Sequence, residues 1–355
     1  MKTKWKKDKS KPQNLAIHKT VSGEGRQAKM CVWVSDGSTV ETLGPGEIFK
    51  FLHKRLGEGD VVRATAVNAT DATLLALTSQ GVKIEYAYWH NTGIPKGLAP
   101  EEIAVRYANL PQNVMREFKP REDLAELKSA VRAYWSVVKF FTAATNAVKQ
   151  EKREEGDVAY IKKTSEEAIS EIKKIRKILK AEDGTPIEKA IAKTAAKIHE
   201  CKLFAELTGV PADGIIATTF AAYSGGFERF WCASALAKYC GLHCNDDGSF
   251  PRRRKGQHIN WSPKMRLACF YLGEQIIKHR LEPWRSLYDQ YRATEREAHM
   301  AKHPGCEHPD GHSTARAIRK VVHRIILEFY VRYKGEKWEE GRAARKEKAL
   351  AVGAA

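Results

Sequence analysis

The fold is decided first by residues 30–43, whose sequence is MCVWVSDGSTVETL. Met30 to Val34 is an apolar, partly β-branched run that is typical of a strand, and Thr39 to Leu43 follows it as a second strand. Asp36-Gly37 lies between them and is a hairpin signal. The stretch therefore predicts two antiparallel strands at one side of a sheet.

The residues after this hairpin extend the sheet. Apolar side chains at helical spacing predict helices from Pro45 to Leu56 and from Asp71 to Ser79. Val61 to Val67 and Val82 to Tyr86 are short runs typical of buried strands. This alternation of strands and helices indicates a small mixed α/β sheet.

Composition narrows the class of protein. The chain has 355 residues, with 61 Lys+Arg against 43 Asp+Glu and a formal net charge of +18. Such a charge favours a polyanionic partner: nucleic acid is the first expectation and an anionic membrane surface the second. The absence of a long apolar stretch predicts no membrane span, and the lysine-rich first twelve residues lack the apolar core of a secretory signal. Seven scattered cysteines indicate a reducing compartment, so we expect a cytoplasmic protein.

After Pro120 the pattern becomes helical, with three heptad-like seams. The seams predict two or three antiparallel coiled-coil helices, which would act as a dimerisation arm or as an intramolecular spacer. Thr185 is predicted to cap the helix that begins at Pro186. The seam residues are Leu124, Leu127, Val131, Tyr134, Val138 and Phe141; Ile161, Ala168, Ile172, Ile175 and Leu179; and Ile187, Ile191, Thr194, Ile198, Cys201 and Ala205.

Two basic clusters stand out in the C-terminal, mainly helical part. The first is PRRRKG at residues 251–256, where four adjacent cations would repel each other without an anionic partner. The second is one face of a long helix predicted from about Ser313. Each is interpreted as a phosphate-binding surface, with a solvated loop or helix face as the alternative. The face consists of His312, Arg316, Arg319, Lys320 and His323.

A metal centre is not expected. Cys240, His243 and Cys244, with the downstream Cys/His cluster of residues 303–312, allow a zinc interpretation, but the spacing lacks paired CxxC motifs. Buried thiols and phosphate-contacting histidines are the favoured alternative. Two-metal catalysis would need carboxylates at the strand ends, and Asp36 and Asp71 are explained by the hairpin and by a helix start.

Several segments together resemble a known family. They are Lys238 to His243, Pro251 to Gly256, Asn260 to Arg266, Pro283 to Asp289 and Asp310 to Lys320. They resemble the C-terminal half of DEDD insertion-sequence transposases, the bridge-RNA-guided recombinases, and more closely the Tas proteins of TIGR (tandem interspaced guide RNA) arrays. The latter combine a RuvC-like domain, a coiled coil and a domain similar to the Nop proteins of box C/D ribonucleoproteins.

The resemblance implies an α+β chain with five parts: a basic arm (1–13), a degenerate RuvC-like (RNase H-like) domain (14–120), an antiparallel coiled coil (121–206), a Nop-like RNA-binding domain (207–335) and a polar tail (336–355). The family's catalytic carboxylates match His18, Asn68, Glu101 and Ala104 here, so most of them are replaced. No catalytic residue is therefore assigned, and no cofactor is expected unless a Mg²⁺-dependent nuclease activity survives.

The function implied is RNA-guided DNA binding without cleavage, by a prokaryotic or phage-encoded homodimer that holds a guide RNA and a target DNA. The alternatives are an RNA-guided transposase or RuvC-like nuclease, and a structural ribonucleoprotein core. The predicted nucleic-acid-binding residues are Tyr239, His243, Arg252, Arg253, Arg254, Lys255, His258, Trp261, Lys264, Arg266, Arg285, His312, Arg316, Arg319, Lys320 and His323.

Overall fold

The chain forms two compact units in a computed structural model. The first combines Met1–Ala125 with Ser224–Arg266 and Ile326–Ala355, and the second combines Glu126–Tyr223 with Leu267–Ile325. The predicted α+β class is confirmed. The residues described are 13–22, 29–44, 46–95, 97–154, 167, 169–171, 185–245, 250–252, 259–306 and 309–335.

A six-stranded mixed sheet forms the centre of the first unit, in the order β3-β2-β1-β4-β5-β6. β1 pairs antiparallel with β2 and parallel with β4, while β4 and β5 are parallel and β6 runs antiparallel to β5. β2 and β3 form the predicted hairpin. The strands are β1 (Asn14–Ser22), β2 (Lys29–Ser35), β3 (Val40–Leu43), β4 (Val61–Ala64), β5 (Lys83–Tyr86) and β6 (Arg116–Glu117).

Helices connect the strands and make up the rest of both units. The helices predicted at 45–56 and 71–79 are confirmed, and the strand predicted at 61–67 ends at Ala64. The described helices are α1 (Ile48–Arg55), α2 (Ala72–Ser79), α3 (Pro100–Ala108), α4 (Glu122–Glu154), α5 (Pro186–Ala195), α6 (His199–Thr208), α7 (Ile215–Ser224), α8 (Ala233–Tyr239), α9 (Pro263–His279), α10 (Trp284–Lys302) and α11 (Pro309–Tyr333).

A buried arginine ties the sheet to the segment after α3. Arg63 on β4 is 6% exposed, and its Nε lies 3.3 Å from a carboxylate oxygen of Glu85 on β5. Its Nη1 donates to the carbonyls of Ala108 and Leu110 at 2.7 and 2.8 Å, and its Nη2 donates to Gln112 at 2.8 Å. These are four hydrogen bonds from the five N–H groups of the guanidinium, and they compensate much of the cost of burying its charge.

The first unit is completed by residues distant in sequence. Phe227 packs on Phe329 with ring centres 4.9 Å apart. The Tyr330 hydroxyl donates to the carbonyl of Phe230 at 2.6 Å. The backbone N–H of Ala69 donates to the carbonyl of Gly225 at 2.9 Å, so the loop after β4 is joined to the 224–230 segment.

The second unit is helical where it is described. Leu127 and Val131 of the first predicted seam are fully buried, and Trp135 is buried beside them. The indole Nε1 of Trp135 donates to Thr219 Oγ1 at 3.0 Å, and its ring stacks on Tyr271. All five residues of the second seam lie outside the described residues.

The third predicted seam is not one continuous helix. α5 ends at Ala195 and α6 begins at His199, with Ile198 in an extended conformation between them. Ile198 is fully buried, as its place in the seam predicts, so the break interrupts the helix without exposing this side chain. The predicted Thr185 cap is confirmed as a complete capping box with Glu188.

Two general features agree with the expectations from composition. None of the helices in the described ranges is both long and apolar enough to cross a membrane. None of the seven cysteines, all of which lie in the described residues, forms a disulfide, and Cys201, Cys240 and Cys269 are buried.

Candidate nucleic-acid interface

The carboxyl end of β4 lies beside the middle of β1 at the centre of the sheet, where a two-metal site would need acids. His18 follows the last residue that β1 pairs with β4, and its Nδ1 lies 2.9 Å from Thr65 Oγ1. Burial lowers the pKa of His18 below its ordinary value, so the ring is neutral at pH 7. A neutral imidazole cannot supply the bridging anionic oxygen that paired Mg²⁺ ions require.

The Asp71 carboxylate, which contacts Lys19 on β1, is already engaged. Lys19 Nζ lies 2.5 Å from Asp71 Oδ2, and both side chains are partly exposed. The other oxygen of Asp71 accepts the backbone N–H groups of Thr73 and Leu74, which caps α2. Asp71 is therefore held by a helix cap and an ion pair, as its predicted structural role requires.

Asn68 serves to shape a turn. Its Oδ1 accepts hydrogen bonds from the Thr70 backbone and hydroxyl at 3.0 and 2.8 Å. Gly225 approaches it closely, since a Cβ on that glycine would lie 2.9 Å from Asn68 Oδ1. The side chain is thus committed to the loop after β4 rather than to an open site.

The other two positions that the resemblance matches to catalytic carboxylates, Glu101 and Ala104, do not supply a pair of acids. Glu101 is exposed in the first turn of α3, and Ala104 is fully buried where the family has an acid. Glu102 is bound by Arg106 at 2.7 Å. Within the described ranges, no group of three His, Cys, Asp or Glu side chains is placed to hold a metal ion.

Asp36 also has a structural explanation. Its carboxylate accepts from the backbone of Ser38 and Thr39 at 2.9 and 2.8 Å, in the turn between β2 and β3. Partial burial alone would raise the pKa of Asp36, but the hydrogen bonds from Thr39 and Ser38 outweigh it and leave that pKa below its ordinary value.

The first basic cluster is described only at its flanks. Arg252 is exposed, whereas Arg253, Arg254, Lys255 and His258 lie outside the described residues. Arg266 donates to the carbonyl of Pro251 at 2.5 Å, and its guanidinium lies 4.8 Å from the Trp261 ring centre. Because Trp261 is 8% exposed, this pair anchors the base of the loop and leaves little ring surface for a nucleobase.

The other predicted residues of the first unit are half-buried. Lys264 and His243 each keep part of their surface exposed. Burial, followed by the positive charge of Lys238, lowers the pKa of His243. Tyr239 is covered on one side by the guanidinium of Arg229, which lies 4.3 Å from its ring centre.

The second basic face lies in the second unit, on α11. His312 and Arg316 are exposed, and Arg319, Lys320 and His323 are half-buried. Burial, with help from Arg319, lowers the pKa of His323. The predicted site residues therefore fall in two units, and each basic cluster is a separate candidate surface.

A carboxylate that the sequence interpretation missed neutralises part of this face. Glu295 on α10 is 9% exposed and lies 2.5 Å from Lys320 Nζ and 3.4 Å from Arg316 Nη1. Burial alone would raise the pKa of Glu295, but Lys320 and Arg316 lower it below its ordinary value. Arg285, also predicted to bind nucleic acid, is held by Asp289 at 2.8 Å.

A cluster of histidines lies beside the basic face. The ring centres of His299 and His303 are 4.8 Å apart, and those of His299 and His312 are 5.3 Å apart. His299 Nε2 lies 3.4 Å from Cys306 Sγ. With Arg316, these residues line an open cleft of about 610 Å³. Cationic and imidazole donors around an open cleft suit an anionic group such as phosphate.

Of the upstream residues in the zinc interpretation, Cys240 is a core residue. Cys240 is fully buried in the first unit, whereas His303, Cys306 and His312 belong to the second. Cys240 behaves as a buried apolar side chain, the alternative favoured from the sequence.

An aromatic ladder in the first unit was not foreseen from the sequence. Arg116, Tyr88, His90 and Trp231 follow one another through ring contacts. Tyr88 and Trp231 are 143 residues apart, so no local pattern connects them. The one usable signal in the sequence was that Trp231 is an aromatic residue outside any helical or strand periodicity. In the structure its side chain is 59% exposed.

The comparisons with known proteins add no family. No protein-family model matches the chain, and no curated protein is similar to it in sequence. The functional argument therefore depends on the charge, the two candidate surfaces and the chemistry at the strand ends.

Proposed function

We propose that this protein binds a short structured guide RNA and, through base pairing by that RNA, a complementary DNA, which it does not cut. The observation that carries the proposal is the chemistry at the end of β4 and the neighbouring middle of β1. His18, Lys19 and Asn68 occupy this place, and the Asp71 carboxylate bound to Lys19 is committed to a helix cap and to that ion pair. The net charge of +18 supports a nucleic-acid partner.

A site that has lost its metal-binding acids can still bind nucleic acid but can no longer hydrolyse it by a two-metal mechanism. Two-metal hydrolysis depends on carboxylates that bridge or flank the ions. A lysine cation and a histidine can contact phosphate, but neither supplies the anionic oxygen that holds the paired Mg²⁺ ions of this hydrolysis. The sheet domain of the proposed protein therefore contributes binding and shape, as a degenerate RuvC-like domain would.

The RNA is assigned to the two basic surfaces. The segment around Arg252 to Lys255, with Lys264, and the α11 face with His312, Arg316, Arg319 and Lys320 supply phosphate ligands. Proteins recognise structured RNA mainly through its backbone and shape, while a guide reads DNA by pairing. In this proposal the second unit's face plays the part of the Nop-like RNA clamp.

A dimer through the coiled coil belongs to the same proposal. Phe140 on α4 is 69% exposed and Val137 is 37% exposed, which is costly for apolar side chains in a lone helix. Light scattering behind a sizing column should give twice the chain mass of 40.0 kDa. Phe140→Glu should reduce it to one chain; a monomeric wild type would contradict the dimer.

The deciding experiment is to express the gene with its native flanks, purify the protein in high salt and sequence the RNA that remains bound. A discrete, repeat-derived RNA supports the proposal and supplies the DNA target. Binding of that target without cleavage in Mg²⁺ completes the support. Cleavage or strand transfer would establish a nuclease or recombinase instead, and RNA binding without target binding would establish a structural ribonucleoprotein.

The basic loop is tested by salt dependence. Neutralising Arg252, Arg253, Arg254 and Lys255 should reduce the slope of log K against log salt by about 3 units, because each phosphate contact contributes roughly 0.7–0.9. The matched control removes four exposed cations elsewhere: Lys50, Lys54, Lys83 and Lys119. Equal losses in both variants would show that overall charge, and not this loop, carries the affinity.

A further inference from the structure

The aromatic ladder is a continuous chain of ring contacts that ends in an exposed indole. The Arg116 guanidinium lies 4.9 Å from the Tyr88 ring centre. Tyr88 and His90 stack nearly parallel at 5.7 Å, with 11° between their planes, whereas His90 and Trp231 lie 4.9 Å apart with their planes tilted by 53°. His90, Arg116 and Trp231 are exposed, so the surface meets solvent.

The ladder is held in place by hydrogen bonds at its base. The Tyr88 hydroxyl donates to the carbonyl of Glu228 at 2.8 Å, three residues before Trp231. The Tyr86 hydroxyl reaches the same carbonyl at 3.4 Å, and the Tyr333 hydroxyl binds the Glu228 carboxylate. Arg116 is fixed opposite Tyr86 by the pairing of β5 with β6. The rings are therefore preordered before any partner arrives.

The chemistry of this surface fits an unpaired nucleobase. Every base has a π face that stacks on an exposed indole or imidazole regardless of sequence, and a nearby guanidinium attracts the backbone phosphate. The net charge of +18 makes a polyanion the complementary partner, whereas a protein partner of this surface would have to be acidic and aromatic-binding at once. Neither basic cluster described above presents an aromatic ring as exposed as Trp231 among the described residues.

We propose that Trp231 and His90 form a stacking platform for an unpaired nucleotide of the bound nucleic acid, with Tyr88 and Arg116 as its support. This inference deepens the proposed function and rests on it. It assigns to the first unit a contact with bases, in contrast to the phosphate contacts assigned to the basic clusters. The nucleotide belongs either to the RNA or to single-stranded DNA, since the stacking chemistry is shared.

The test uses the full chain and three probes: a single-stranded RNA of mixed sequence, the matching single-stranded DNA, and the RNA duplex. Trp231→Ala should weaken binding of a single strand by about 5- to 150-fold, the equivalent of roughly 1–3 kcal/mol per stacked base. Duplex binding and the salt slope should not change, because no phosphate contact is removed. A single strand with abasic sites should bind wild type and variant equally.

Controls separate stacking from loss of structure. Phe270→Ala removes another exposed aromatic, 48% exposed in the second unit, and should leave all three affinities unchanged. Trp231→Phe keeps a ring and should retain most of the affinity, while His90→Ala should reproduce part of the loss. If Trp231→Ala unfolds, Trp231→Phe and His90→Ala still decide the question.

The outcomes are distinct. A loss confined to RNA assigns the platform to the guide, a loss confined to DNA assigns it to the target, and equal losses assign it to either strand. If Trp231→Ala leaves single-strand affinity unchanged, or weakens single-strand and duplex binding equally, the platform is overturned. In that case the proposed function still stands if the wild type binds a guide RNA. A wild type that binds none of the probes and copurifies with no RNA overturns both.

Discussion

Replacing Arg63 by methionine is expected to destabilise the first unit by about 3–5 kcal/mol, the usual cost of removing one partner from a buried ion pair. Arg63 is 6% exposed and Glu85 is 9% exposed. Without the guanidinium, the Glu85 carboxylate keeps Gln112 Nε2 at 2.6 Å but loses its opposite charge. The carbonyls of Ala108 and Leu110 lose their donor as well, each at a cost of about 1–3 kcal/mol if water cannot reach them.

Two companion variants distinguish the cost of leaving a buried charge unpaired from the cost of removing any charged side chain. Arg106→Met breaks an exposed pair with Glu102 and should cost only about 0.3–0.5 kcal/mol. Arg63→Met combined with Glu85→Leu removes both buried charges. It should recover part of the lost stability, because no unpaired ion remains while the carbonyls of Ala108 and Leu110 still lack their donor.

The assay must report on the first unit alone, since a chain with two units need not unfold in one step. Amide hydrogen exchange on β4 and β5, measured beside a urea titration, gives the free energy of opening of the sheet itself. A loss in Arg63→Met no greater than that in Arg106→Met would refute the reasoning. So would a double variant that is less stable than the single one.

Three further outcomes are expected. Burial lowers the pKa of His18, so the unfolded chain binds the proton more readily than the folded chain. The free energy of unfolding should therefore fall as the pH falls through about 6.5. His18→Gln should reduce this loss, measured by urea titrations at about pH 7.5 and about pH 5.5. Glu295→Gln should free Lys320 and Arg316, strengthening RNA binding and steepening the salt slope by about 1–2 units. Gly225→Ala should cost at least about 1–2 kcal/mol of unfolding free energy, because its φ is +70° and the new Cβ meets Asn68.

Each of these has a matched comparison. His243 and His323 also have lowered pKa values and remain in His18→Gln, so some pH dependence should persist; an unchanged pH dependence would contradict the role of His18. Glu102→Gln removes a carboxylate away from both basic clusters, and the same gain in RNA affinity there would discount Glu295. Gly57→Ala meets no atom within 4 Å and should be nearly neutral.

Sequence reasoning succeeded where local physics decides. The alternation in residues 30–43 and the Asp36-Gly37 turn predict the β2–β3 hairpin, because turn chemistry and strand pairing act over a few residues. Asp71 marks the start of α2 for the same reason. Thr185 does so for α5.

It failed where distant residues meet. The helix predicted through Ile198 breaks at that residue, whose backbone is extended, and a heptad pattern predicts the burial of Ile198 but not the break. Glu295 is one acid among 43 Asp+Glu in the sequence, and only the packing of α10 beside α11 brings it to Lys320. The ladder joins Tyr88 to Trp231 through tertiary contacts alone. Candidate cations were therefore predictable, while their neutralisation and the stacking surface were not.

The discontinuous makeup of the first unit has a consequence for how the protein is made. The sheet is translated first, but residues that complete its unit, including Tyr330 and Tyr333, are translated roughly 200 residues after Ala125. At about 5–20 residues per second, the ribosome leaves that unit unfinished for roughly 10–40 seconds. During this time the apolar surface destined for Phe329 is uncovered on the nascent chain. The demand of the nascent chain for chaperones is thus set by the emergence of α11 from the ribosome.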